Sequence, residues 1–184
     1  MMAREYSKLE QNRLDKLRNL QAKGIEPYPT RAERTHTSQE AIQAYEAAEA
    51  LSVTTPTAPA RPVEATLVGR LRSMRAMGKI TFSHIEDEAG RVQLFLRADE
   101  VGPEQLDLFN REFDLGDFIQ ASGEMFRTRT GEVTLRVRSF RMLAKSITPL
   151  PAAKDEVVDG QVIRHATLSD PETRYRQRYA DLAI

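Results

Sequence analysis

The sequence predicts a mainly-β domain, a five-stranded barrel, with α-helices attached on its N-terminal side. Three observations carry that reading. Apolar residues switch from helical spacing to strict alternation at about residue 63. Glycine-bearing turns then punctuate the chain at 75–79, 87–91 and 127–132. One short helical stretch, residues 102–113, falls between the third and fourth strands.

Each element follows from its own pattern. Residues 5–23 predict a helix, with Leu9, Leu14, Leu17 and Leu20 near helical spacing and Gly24 as its stop. The following GIEPYPT holds two prolines and cannot continue it. A second helix starts at Thr37, where TSQE sets Thr37 and Glu40 at capping-box spacing, and runs to about Leu51. SVTTPTAPARP, with three prolines and little apolar bulk, reads as a linker. From Val63 to Leu71 alternate residues are apolar or small, the mark of a half-buried strand. RAMGK turns it into a second strand over 80–86, and DEAGR into a third carrying Val92, Leu94 and Leu96. In GPEQLDLFNREF, Pro103 sits where a first helical turn tolerates it. LGD opens a fourth strand over 118–126, and RTRTGE turns it into a fifth, with Val133, Leu135 and Val137 on one face. Three strands, a helix and two more strands give the order of a Greek-key barrel of the OB type. Roughly ninety residues suffice for such a barrel to hold its own small core. The passage after Leu143, KSITPLPAAKDEVVDGQV, shows no clear periodicity, and the terminal DPETRYRQRYADLAI reads as a helix halted in mid-pattern, as if a larger protein continued beyond it.

Bulk properties narrow the function classes. The 184 residues carry 27 basic and 27 acidic side chains, a formal net charge of zero, so any anionic partner must be met by a local patch. There is no cysteine, which excludes disulfides and thiolate metal sites, and His36, His84 and His165 are too dispersed for a local zinc motif. The N-terminus is charged rather than signal-like, and no apolar run reaches membrane-spanning length. A cytoplasmic protein with no membrane partner is expected. No P-loop, GxSxG, HExxH or dinucleotide fingerprint occurs, and the isolated His84 is more simply a strand residue than a general base. No active site and no cofactor site is expected within these residues.

The binding signal lies in the barrel. Arg70, Arg72, Arg75 and Lys79 occur between positions 69 and 79 with no acidic residue among them. Arg127, Arg129, Arg136, Arg138, Arg141 and Lys145 follow between 125 and 145, against Glu132 alone. Both segments border the strands and loops with which OB barrels usually hold oligonucleotides. Cations on outer strand faces also solubilise sheets, and for Arg136 and Arg138 that is the simpler reading. Near the 70–79 segment Phe82 adds a ring: cations meet phosphate, and a ring stacks a base. Alternation with Ile80 leaves Phe82 free to face the core or the solvent. Gln93 has the opposite parity to Val92 and Leu94, so it points away from the core, where its amide can read a base edge. Glu132 is an odd carboxylate in a basic hairpin: it either accepts from a base N–H or neutralises Arg127 or Arg129 across the turn.

Taken together, NRLDKLRNLQAKGIEPYP, GRLRSMRAMGKITFSHIEDEAGRVQLFLR, LGDFIQASGEMFRTRTGEVTLRV, ITPLP and ETRYRQRYADL resemble the N-terminal region of class II lysyl-tRNA synthetases. KGIEPYP and the MGK hairpin resemble the lysyl member more than its aspartyl and asparaginyl relatives; an OB module of either relative, a general single-strand-binding OB module and an interaction-only barrel are the rival readings. The resemblance implies a domain that reads the uridine-rich anticodon of lysine tRNA. Phe82 would stack the central uridine, and Arg75, Gln93 and Glu132 would complete its recognition. Arg70, Arg72, Lys79, Arg127 and Arg129 are weaker candidates for contact with the RNA. It also implies three regions: a helical extension and linker over 1–57, the barrel over 58–150, and a connector into a catalytic domain over 151–184. The family's ATP- and lysine-binding motifs would lie beyond residue 184, so this chain alone is not expected to aminoacylate. The full-length enzyme would use ATP and Mg2+ and form a homodimer. Residues 152–170 depart from the family pattern, being longer than its connector and lacking its aromatic-His-Gly signature.

Overall fold

The computed structural model describes residues 5–54, 62–148, 154–158 and 161–165, together with Tyr175. It divides into two compact units, Met1–Ile147 and Thr148–Ile184. In the first, helices α1 (Lys8–Ala22) and α2 (Ser38–Thr54) precede β1 (Glu64–Met77), β2 (Ile80–Glu86) and β3 (Arg91–Arg97). Helices α3 (Ala98–Val101) and α4 (Pro103–Glu112) follow, then β4 (Phe118–Arg127) and β5 (Val133–Ala144). The strands close into a barrel in the order β1-β2-β3-β5-β4, with β1 and β4 paired to shut it. All pairings are antiparallel except β3 with β5. The second unit holds a hairpin of β6 (Lys154–Val158) and β7 (Gln161–His165).

The barrel core is filled by the inward parity of each strand: Leu67 and Leu71, Ile85, Leu94 and Leu96, Ile119 and Met125, Leu135 and Val137 are all essentially inaccessible. Helix α4 adds Leu106 and Phe109, and Phe109 packs 5.0 Å from the Phe113 ring and 5.1 Å from that of Phe140. Two inward positions on β2 are polar, and each is satisfied. Thr81 donates to Asn110 Oδ1 at 2.8 Å, and Ser83 donates to the Ser73 carbonyl at 2.6 Å.

The N-terminal helices are held by directed contacts. A Ser7–Glu10 capping box opens α1. The Thr37–Glu40 box expected for α2 is present, Glu40 accepting from the Thr37 N–H at 2.8 Å and the Thr37 hydroxyl from that of Glu40 at 3.2 Å. Arg13 of α1 donates to the carbonyls of Ser146 and Leu115 at 2.8 and 2.9 Å. Beside it the buried Lys145 ammonium donates its three protons to Asp114, Asp117 and the Glu112 carbonyl, at 2.6, 2.8 and 2.8 Å. A second cation, Lys16 of α1, reaches the other oxygen of Asp114 at 2.7 Å. A buried charge of this kind is tolerable because each of its protons is used.

Several boundaries differ from the sequence expectation. Strand β1 runs on to Met77, so the expected five-residue turn shrinks to Gly78 and Lys79, with Gly78 at φ +63°. The start of the expected linker, residues 52–54, continues α2. The short helix α3 precedes α4, and β6 and β7 form where no periodicity was legible. Residues 55–61 of the linker lie outside the described residues, as does all of the expected terminal helix except Tyr175.

Candidate nucleic-acid interface

The outer face of β1, β2, β3 and β5 is built by two rows of residues that lie opposite one another across the strands. The first runs Arg75, Phe82, Phe95, Arg136. The second runs Ser73, His84, Gln93, Thr134. Cross-strand partners share a face, so each row brings its side chains side by side, at the surface except for Thr134, which is buried beneath its neighbours.

For β2 and β3 the parity is simple. Thr81, Ser83 and Ile85 are buried, so Phe82 and His84 point outward. Val92, Leu94 and Leu96 are buried, so Gln93 and Phe95 do the same. For β1 it is not. Leu71 pairs with Ile85, but the next pair is Ser73 with His84, so Arg72 is an extra residue in a β-bulge. Before the bulge the odd positions 65, 67, 69 and 71 are buried; after it Ser73 and Arg75 stand on the outer side. Uninterrupted alternation would have sent Arg75 toward the barrel interior.

The first row is aromatic. The Phe82 and Phe95 rings lie 5.0 Å apart, and Phe126 of β4 follows 5.8 Å from Phe95. The Arg136 guanidinium carbon sits 4.8 Å from the centroid of Phe126, and its Nε is buried without a hydrogen-bond partner among the described residues. All three rings are half-buried, which leaves ring surface exposed at the strand face. The second row is a chain of hydrogen bonds. The Ser73 hydroxyl lies 2.7 Å from His84 Nδ1, and His84 Nε2 lies 3.0 Å from Glu132 Oε1. Gln93 donates to Glu132 Oε2 at 2.6 Å, and the Thr134 hydroxyl donates to Gln93 Oε1 at 3.0 Å. Glu132 therefore bridges β2 and β3 rather than neutralising Arg127 or Arg129.

The structure thus brings Arg75, Phe82, Gln93 and Glu132 onto one face. The other cations differ in what holds them. Arg127 is bound to Glu49 of α2, with contacts at 2.6, 3.1 and 3.1 Å, and donates to the Gly131 carbonyl at 2.7 Å. Those hydrogen bonds hold the Glu49 carboxyl below its usual range. Arg72 pairs with Glu86 at 2.8 Å, and Arg70 lies 4.8 Å over the Phe118 ring, on the stretch of β1 before the bulge. Arg138 and Arg141 are likewise engaged, Arg138 by Glu64 and Glu124 and Arg141 by Gln120. Arg75, Lys79 and Arg129 are exposed and form no ion pair among the described residues. Sequence reasoning passed over Phe95 and Phe126, and read His84 as a strand residue with no part in binding. The alternation that carried Gln93 outward applies equally to Phe95 and was the available signal there, whereas His84 shares the parity of Phe82, which alternation alone left open.

Among the described residues no group of three or more His, Asp or Glu side chains is placed to hold a metal, and no helix is long and apolar enough to cross a membrane. Comparison with known proteins points to nucleic acid. Residues 65–143 match a tRNA anticodon family profile, described as an OB-fold nucleic acid binding domain. Across 98% of its length the chain is 41% identical to a lysine–tRNA ligase of Pelotomaculum thermopropionicum and 39% identical to one of Clostridium tetani. A lysine–tRNA ligase of Bacillus subtilis is 38% identical over 95% of the chain. The chain spans only about a third of these relatives, 31%, 31% and 32% of their respective lengths.

Proposed function

We propose that this relative of the lysine–tRNA ligases, built on an OB-fold nucleic acid binding domain, recognises the anticodon loop of lysine tRNA through the outer face of its barrel. The observation that carries the reading is the convergence of Arg75, Phe82, Gln93 and Glu132 across three strands and the β4–β5 turn. A splayed base stacks on Phe82, and its edge meets a carboxylate and an amide whose positions are already set. A carboxylate only accepts, so Glu132 suits a base that offers a ring N–H, as uracil does at N3 and cytosine does not. Arg75 stands opposite Phe82 with its charge free for a base carbonyl or a phosphate. The strand order β1-β2-β3-β5-β4 is read here as the Greek-key path of an OB barrel. The relatives' names favour the lysyl reading over an aspartyl or asparaginyl one.

In this reading the whole protein joins lysine to its tRNA through a lysyl-adenylate, with ATP and Mg2+, as a cytoplasmic homodimer, and these residues supply RNA recognition. Filter binding with a lysine-anticodon stem-loop tests it. Phe82→Ala should weaken binding by roughly 1–3 kcal/mol, the stacking contribution of one base. Unchanged affinity, with the fold retained by circular dichroism, would remove Phe82 from the site.

A further inference from the structure

His84 occupies a place that the proposed recognition leaves unexplained. It lies in the same cross-strand row as Gln93 and is half-buried between Ser73 on β1 and Glu132 in the β4–β5 turn. Its two nitrogens face chemically different partners, and that fixes its role. The Glu132 carboxylate accepts and cannot donate, so the 3.0 Å contact requires the hydrogen on His84 Nε2. With the ring hydrogen on Nε2, Nδ1 is the acceptor of a hydrogen bond that the Ser73 hydroxyl donates at 2.7 Å. The tautomer follows from the partners. The other Glu132 oxygen is held by Gln93 at 2.6 Å. Each carboxylate oxygen thus has one protein donor, and each keeps a further lone pair for a ligand.

We propose that His84 is a positioning residue for base recognition: it locks the Glu132 carboxylate in the orientation that accepts a uracil ring N–H, and so sets the preference for uridine over cytidine. The inference rests on the anticodon reading above and deepens it. Without His84, one oxygen of Glu132 loses its donor, and the side chain is free to swing toward cations of its own hairpin such as Arg129. The carboxylate would remain near the RNA but no longer point at one place. Affinity from stacking and phosphate contact would survive, while discrimination between bases would decline. A histidine that merely packed or solubilised the sheet would not have this signature.

The test compares two anticodon stem-loops, one with uridine and one with cytidine at the central position, bound to the 184-residue chain and its variants. The wild-type chain should prefer uridine, and Phe82→Ala should weaken its binding of the uridine stem-loop. His84→Ala should reduce the uridine-to-cytidine affinity ratio about tenfold, the scale of one hydrogen bond to a charged group, with little change in the slope of affinity against salt. His84→Gln, whose amide can donate to Glu132 and accept from Ser73, should recover most of the ratio. In a Glu132→Ala background, His84→Ala should have no further effect on it. An unchanged ratio in a folded His84→Ala protein, with the Phe82→Ala loss intact, would overturn the role of His84 and leave the anticodon reading standing. Should His84→Ala fail to fold, an equal ratio in His84→Gln and His84→Leu would overturn it. No preference for uridine in the wild-type chain would overturn both.

Discussion

At the scale of single residues, the candidate site and the scaffold beneath it solve opposite electrostatic problems. On the outer face Arg75 keeps its charge free, whereas the scaffold uses every proton of Lys145. Asp114 links that scaffold to α1, and its carboxyl is pulled two ways. Burial pushes it up, while hydrogen bonds from Lys145 and Lys16 more than offset this and hold it below the usual carboxylate range. A group depressed in the folded state contributes stability that is present above its unfolded value, about 3.9, and lost as pH falls through its lower folded value. Asp114→Asn should therefore be less stable than wild type at neutral pH, and the gap should close in acid below about pH 4. Urea unfolding from pH 7 to pH 3 measures that gap, and a constant difference would deny Asp114 its part. None of this pairing was legible in the sequence. Lys145 reads there as one more cation of a basic segment, because charge runs reveal composition and not the distant partners Asp114 and Asp117.

At the scale of elements, period-two alternation made the strands legible and the irregularities hid the rest. The outward face of β3 was readable from Val92, Gln93 and Leu94 alone, since no bulge interrupts its pairing with β2. Phe82 stayed ambiguous because the buried neighbours that decide its direction, Thr81 and Ser83, are polar. Arg75 could not be placed by parity at all, because the extra residue at Arg72 reverses the faces of β1. A second irregularity, between Ser122 and Gly123 on β4, falls where Gly123 lies tight against the β5 backbone at Arg136. A Cβ on Gly123 would lie 1.9 Å from the Arg136 carbonyl oxygen, which cannot move without breaking the β4–β5 pairing. Gly123→Ala should cost at least about 3 kcal/mol by overpacking. Gly78→Ala, at φ +63° with no atom within 4 Å of the added carbon, should cost only about 1–2 kcal/mol through backbone conformation. Thermal unfolding of the two variants compares them, and equal losses would contradict the packing argument.

At the scale of the whole molecule, a chain with zero formal charge uses its cations selectively. Most of the arginines that read as two basic tracks are tied to carboxylates or rings: Arg127 secures α2, Arg72 its own hairpin, and Arg138 joins Glu64 to Glu124. A small number of free charges around an aromatic strip suits base reading better than indiscriminate phosphate binding, which scales with the count of cations. The resemblance to lysyl-tRNA synthetases is borne out over nearly the whole chain, and the match to the OB-fold family profile, residues 65–143, spans the alternating strands. The hairpin of β6 and β7 escaped notice because its strands are five residues long, too short for a period to emerge beside flanking prolines. In the proposed recognition, RNA meets the face of β1, β2 and β3 around Phe82 and Glu132. Amide chemical shifts of the isotope-labelled chain, followed while a lysine-anticodon stem-loop is added, test it most directly. The largest changes should fall on residues 73–75, 82–84, 93–95 and 132–136. Changes confined to α1, α4 or the Phe118 end of the barrel, or none at saturating RNA, would contradict it.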